Sequence, residues 1–152
     1  NKPSVVFGNG GSASDASHFA AELICSFDKV NRPAFPLISL SSDSSILTAW
    51  SNDCDFTGVF SRQISSFGTN LSCAIGLSTS GTSPNVINGL HEAHKLGAKS
   101  ILLTGSSAPS YDFLDLNVRF PSDSTPLIQT LTQLFYHSVS ASLETSLSFS
   151  SF

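Results

Sequence analysis

Short apolar runs alternate along this chain with longer stretches whose apolar positions recur at helical spacing. Residues 5–7 (Val5, Val6, Phe7), 35–40, 73–77, 100–104 and 116–120 read as five short strands, apolar enough to be covered on both faces. Between them the spacing predicts a helix over 13–27, a short helix over 43–49 with Asp43 or Ser44 at its cap, and a helix over 56–67 carrying Phe56, Val59, Phe60, Ile64 and Phe67. Pro84 suits the first turn of a helix running to Lys95, with Ile87, Leu90 and Ala93 inward. A long helix from near Ser124 carries the stripe Ile128, Leu131, Leu134, Phe135 and Val139. Gly68 and Gly97 act as stops, 28–33 is a loop, and the tail over 146–152 shows no clear period. Strand and helix in alternation predict a three-layer α/β domain with a parallel sheet, whose site lies at the carboxyl ends of the strands.

Two of the turns at those ends carry chemistry. After the first strand the chain reads Gly8, Asn9, Gly10, Gly11, Ser12, where missing side chains let a ligand approach the backbone. Ser12 or Ser14 is placed to cap the following helix, turning its first N–H groups into an anion site. His18 and Glu22 follow four residues apart on one helix face, able to share a metal ion or a substrate. After the third strand comes a second turn of the same kind, Ser78, Thr79, Ser80, Gly81, Thr82, Ser83, ahead of Pro84. Either turn alone is more often a tight connection, and a His/Glu pair at this spacing is more often a solvated face. The two turns together favour phosphate.

Composition narrows the partners. Charged residues are 12% of the chain and serine about a fifth, so the surface is rich in hydroxyls rather than ions. A net charge of −4 with seven scattered Lys and Arg argues against direct binding of nucleic acid. Phosphate must then be met by backbone N–H groups, hydroxyls and helix ends. Cys25, Cys54 and Cys73 fit neither a disulfide framework nor a zinc knuckle and read as small core hydrophobes in a cytoplasmic protein. No apolar run reaches the length of a membrane span, and no signal peptide is visible. His91 and His94 read as surface residues, Arg62 and Lys95 as solvated charges, and Trp50 as packing. By its surroundings alone, His137 reads as a core histidine.

The segments GNGGSASDASHFAAEL, SSDSSILTAWSND and LSTSGTSPNVINGLHEAHKLGAKSILLTG, with the spacing from Gln129 to His137, together resemble the phosphoheptose isomerases of the sugar isomerase (SIS) domain superfamily. The resemblance spans about Ser4 to Glu144 and implies a flavodoxin-like five-stranded parallel sheet and a homotetramer. The activity it implies is interconversion of sedoheptulose 7-phosphate and D-glycero-D-manno-heptose 7-phosphate, which supplies lipopolysaccharide precursors. It places Asn9, Gly10, Gly11 and Ser12 at the first phosphate loop, Ser78, Thr79, Ser80 and Ser83 around the phosphate, and Asp53 and Gln129 on the substrate. It also implies one zinc ion per subunit on His18, Glu22, Gln129 and His137, with Glu22 as base at carbon and His137 as acid/base at the oxygens.

In one regular helix Gln129 and His137 stand about 12 Å apart along the axis, so they reach inward from opposite ends or different subunits complete the site. A site near a subunit interface is the expectation. The chain departs from the family's pattern at Ser124, Leu127, Thr130 and Thr132, and lacks the family's helix before the first strand. A single domain over 1–152 is expected. The competing readings are a non-catalytic SIS domain that binds a phosphosugar or associates with a replication initiator, and a sugar-phosphate-sensing domain of a larger protein. Retention of Gly11, Asp15 and Glu22 favours the enzyme over the initiator-associating relatives, which typically lose them.

Overall fold

The structure is a computed structural model that describes residues 2–149, with side chains through Ser146. Five parallel strands, β1 (Ser4–Gly8), β2 (Leu37–Ser39), β3 (Cys73–Leu77), β4 (Lys99–Thr104) and β5 (Leu116–Arg119), form one sheet in the order β2-β1-β3-β4-β5. This is the flavodoxin-like order expected, with its switch point between β1 and β3. There the register sets Gly8 opposite Leu77, so the two glycine- and serine-rich turns leave the sheet side by side.

Alternation along β1 sorts the two layers. Val5 and Phe7 face one core with Val59, Phe60 and Ile64 of α3 (Val59–Ser65) and Val86, Leu90 and Ala93 of α4 (Pro84–Lys95). Val6 faces the other core with Ala16, Phe19, Ala20 and Leu23 of α1 (Gly11–Ile24) and Ile128 and Tyr136 of α5 (Thr125–Phe149). The two helices bearing the predicted chemistry, α1 and α5, therefore pack against each other on one side of the sheet.

Several element ends differ from the sequence expectation for local reasons. Helix α1 starts at Gly11 with Gly10 as N-cap at φ 55°, and neither Ser12 nor Ser14 caps it. Instead the N–H groups of Ser12, Ala13 and Ser14 donate to the carbonyls of Asn9 and Gly10. Strand β2 begins only at Leu37, because Pro36 has no N–H to give the ladder. Asp43 does cap α2 (Ser44–Asp53), which runs four residues past the expected end at 49. The expected helix over 56–67 is a 3-10 turn, Phe56–Gly58, capped by Asp55, followed by α3. Helix α5 continues into the tail to Phe149, while 150–152 lie outside the described residues.

The cysteines are not core residues. Cys25 and Cys54 are exposed, since each is the C-cap of its helix, and Cys73 is half-buried, its thiol pushed up to about 11 by burial and by Asp115. Trp50 packs against Gly58 with Arg62 over its ring, and His91, His94 and Lys95 are exposed as expected. No helix among the described residues is long and apolar enough to cross a membrane.

Among the described residues one ion pair is buried. Arg32 Nε donates to Glu144 Oε1 at 2.9 Å, with both side chains only 2% and 3% exposed. Burial pushes the Glu144 carboxyl up, but bonds from the Lys29 amide, Arg32 and the Asp28 and Phe27 amides outweigh it and hold it at about 2. The folded value lies below the ordinary one, so the contribution to stability is whole above about pH 4.5 and is lost as pH falls through about 2. Urea midpoints measured from pH 5 to 2 are expected to fall more steeply for the native chain than for Glu144→Gln. Parallel curves would contradict this.

Candidate functional site

Where β1 and β3 end, a cavity of about 300 Å³ opens between the two turns and the start of α5. Asn9, Gly10, Gly11 and Ser12 form one wall and Ser78, Thr79 and Ser83 the opposite one, with Thr125 and Gln129 closing the side. Neither Lys nor Arg lines it, so an anion there meets hydroxyls, amides and backbone dipoles. Ser78 Oγ, almost fully buried, donates to Ser83 Oγ at 3.0 Å, and Gly81 at φ 68° turns the loop. Tyr111 Oη fixes that turn by donating to the Gly81 carbonyl. Ser80 points to a neighbouring cavity of about 400 Å³, which shares Thr79 and Thr125 and is bounded by Ser107 and Asp123. Bonds from the Ser106 and Ser107 hydroxyls and the Ser107 amide hold the Asp123 carboxyl below its ordinary range, leaving an ionised group there.

The turns are joined by a residue the sequence reading did not single out. Asn9 and Asn85 exchange side-chain amide bonds in both directions, at 2.9 and 2.8 Å, and Asn85 Oδ1 also accepts the Val86 N–H. Asn85 is buried, and the signal for it was its place one residue after Pro84 at the opening of α4. Replacing Asn85 by Leu leaves the Asn9 amide without its partner, at a cost of about 1–3 kcal/mol in urea unfolding. A change under about 0.5 kcal/mol would show that the pair does not brace the turns.

From this cavity α1 and α5 run on side by side. Gln129 sits directly over Gly11, where a Cβ would meet its side-chain amide. Two turns along, His18 Nε2 lies 2.8 Å from Glu22 Oε1, and Tyr136 Oη lies 2.8 Å from His18 Nδ1. The His18 and His137 rings stand 5.3 Å apart and nearly perpendicular, and Phe27 lies against His137 at 5.5 Å. His18, Glu22 and His137 each bring one donor atom to within 4.8 Å of the others, so they meet within one chain. Gln129 makes no hydrogen bond to the three among the described residues. Asp53 borders neither cavity, sitting exposed at the end of α2 with the Asn52 amide on its carboxylate.

Tyr136 was also missed, since its ring reads as core. Burial pushes its hydroxyl up to about 12, with help from the Asp15 and Glu22 carboxylates, so it stays a phenol, hydrogen-bonded to His18 Nδ1. The His18 ring is thus held between the Tyr136 hydroxyl on one nitrogen and the Glu22 carboxylate on the other. Asp15 Oδ2 nearby is buried without a hydrogen-bond partner, and burial holds that carboxyl above its ordinary value against the pull of His18. Two imidazoles and a carboxylate converging beside an unsatisfied second carboxylate are a donor set that suits a divalent cation such as zinc.

Comparison with known proteins agrees with the sequence segments and the fold. The SIS domain matches residues 2–105. A phosphoheptose isomerase of Aliarcobacter butzleri is 45% identical over 145 residues, covering 95% of this chain and 76% of that protein. One from Aquifex aeolicus is 52% identical over 101 residues, 66% of this chain and 52% of that protein. The solved structure of a phosphoheptose isomerase from Francisella tularensis superposes with a TM-score of 0.85 at 33% identity, covering 95% of this chain and 77% of that one. With two hydroxyl-lined turns at the switch point, a His/Glu/His cluster beyond them and these relatives, the chain belongs to the SIS domain family and, within it, to the phosphoheptose isomerases.

Proposed function

We propose that this chain interconverts sedoheptulose 7-phosphate and D-glycero-D-manno-heptose 7-phosphate, in the supply of lipopolysaccharide precursors. The observation that carries the reading is the spacing along α1. A phosphate held at Gly11 and Ser12 leaves about 10 Å of helix to His18, a distance suited to a sugar with its phosphate and its carbonyl at opposite ends. Asn9, Gly10, Gly11, Ser12, Ser78, Thr79, Ser80 and Ser83 receive the phosphate end and Gln129 contacts the sugar, while Asp53, which borders neither cavity of its own chain, contacts the sugar held by another subunit of the assembly.

Isomerisation removes a proton from C1 of the ketose and returns one to C2, while a second proton passes between the two oxygens. Glu22, only 18% exposed, moves the carbon proton. His137, across from it, moves the oxygen proton. His18, fixed by Tyr136 on one nitrogen, holds Glu22 in place until substrate arrives. His18, Glu22, Gln129 and His137 would hold one zinc ion, and zinc when bound polarises the sugar carbonyl.

Assembly as a homotetramer in the cytoplasm, from a single domain over 1–152, belongs to the same proposal. It is supported by α2, which buries none of its residues, and by two large apolar side chains left in water, Ile46 on α2 and Phe56 just after it, 42% and 49% exposed. Nuclear magnetic resonance of sedoheptulose 7-phosphate mixed with zinc-loaded protein is expected to show the aldose signal growing. Absence of any aldose, together with capture of a replication initiator, would favour the non-catalytic reading.

A further inference from the structure

We propose that Arg32 and Glu144, outside the site itself, are positioning residues that set Glu22 against His18 and His137. This rests on the isomerase reading above and adds to it the device that holds its catalytic end in register.

The contacts between α1 and α5 form a ladder. Gln129 meets Gly11 at the cavity, and His18 meets Tyr136 and His137 two turns on. At the far end the rung is Glu144, which is seven residues beyond His137 and so on the same face of α5. Its partner Arg32 lies in the loop after α1 and does not merely pair with it. Nη2 of Arg32 donates to the carbonyl of Glu22 itself at 2.6 Å, and Nη1 donates to the carbonyls of Leu23 at 2.7 Å and Pro33 at 3.0 Å. The last carbonyls of α1 have no partner further along the helix, and its last turn carries no basic side chain. The guanidinium supplies the donor missing at the Glu22 carbonyl, shares the Leu23 carbonyl with the Phe35 N–H, and brings the cation that this end of a helix favours.

Glu144 completes the clamp from α5. Its Oε1 accepts from Arg32 Nε and from the Phe27 amide, and its Oε2 from the Asp28 amide at 2.9 Å. Phe27, whose amide is held in this way, lays its ring against His137. One buried pair thus fixes the backbone of Glu22, the end of α1 and the aromatic neighbour of His137 together. A shift of the pair moves Glu22 relative to His137, while the cavity at Gly11 lies more than two turns away and is braced separately by Asn9 and Asn85.

Arg32→Lys keeps the charge but has no planar fork to hold three carbonyls and a carboxylate at once. Glu144→Asp keeps the charge and draws the carboxylate back by one methylene. The test measures both variants where near-ultraviolet circular dichroism shows them folded. Zinc affinity of the metal-free protein, by competition with a chromophoric chelator, is expected to fall about 10- to 100-fold in at least one of them. In the same variant kcat falls by a similar factor, while KM and the affinity for inorganic phosphate stay within about threefold. Unchanged zinc affinity in both folded variants overturns the assignment, as does a fall in zinc and phosphate binding together in step with unfolding. If the native chain binds zinc with these shifts but does not turn over sedoheptulose 7-phosphate, the positioning role stands and the isomerase reading fails.

Discussion

Replacing Glu22 by Gln is expected to lower kcat for sedoheptulose 7-phosphate about 10²- to 10⁴-fold, with KM changed only a few-fold. Glutamine keeps the size of the side chain and its hydrogen bond to His18, so the helix face stays intact. What it loses is the capacity to take a proton from carbon. The split between kcat and KM follows from the geometry. The phosphate end of the substrate is held by the turns at Gly11 and Ser78, and Glu22 stands three turns from the start of α1. A rise in KM with kcat unchanged would assign Glu22 to binding instead.

Gly8→Ala carries the second large effect, and it acts through the backbone. A Cβ at Gly8 would meet the Leu77 carbonyl and the Ser12 Cβ, both at 2.8 Å, and neither is the far end of a flexible side chain. Gly8 and Leu77 are paired in the register, so the two strands must part where the two turns leave the sheet. The overpacking is expected to cost about 1–3 kcal/mol in urea unfolding. By misplacing the cavity walls it should also lower kcat/KM by up to about 10²-fold. A variant as stable and as active as the native chain would show that the turns do not depend on this close approach.

Much of this was legible in the sequence because the signals are local. The five apolar runs gave the strands, Pro84 and Gly97 bounded α4, and glycine with hydroxyl residues marked both turns. What local signals cannot carry is what one segment does for another. Ser12 looked like a cap, yet Gly10 takes that place and the Ser12 amide turns back to Asn9. Cys25 and Cys54 looked like core residues because cysteine is commonly buried, but at helix C-caps their side chains face water. Asn85, Tyr136, Arg32 and Glu144 are ordinary in their own neighbourhoods and acquire roles only through partners 76, 118 and 112 positions away. The convergence of His18 and Glu22 with His137 was readable only through the family spacing, because nothing within either helix points to the other.

The central claim is that this chain moves a proton at carbon in a sugar phosphate. It is tested most directly by incubating sedoheptulose 7-phosphate with the zinc-loaded protein in deuterium oxide and following the carbon-bound hydrogens by nuclear magnetic resonance. Deuterium is expected to enter the carbon next to the carbonyl with the native chain and to enter far more slowly with Glu22→Gln. No incorporation and no aldose with the native chain, or equal incorporation by both proteins, would contradict the account.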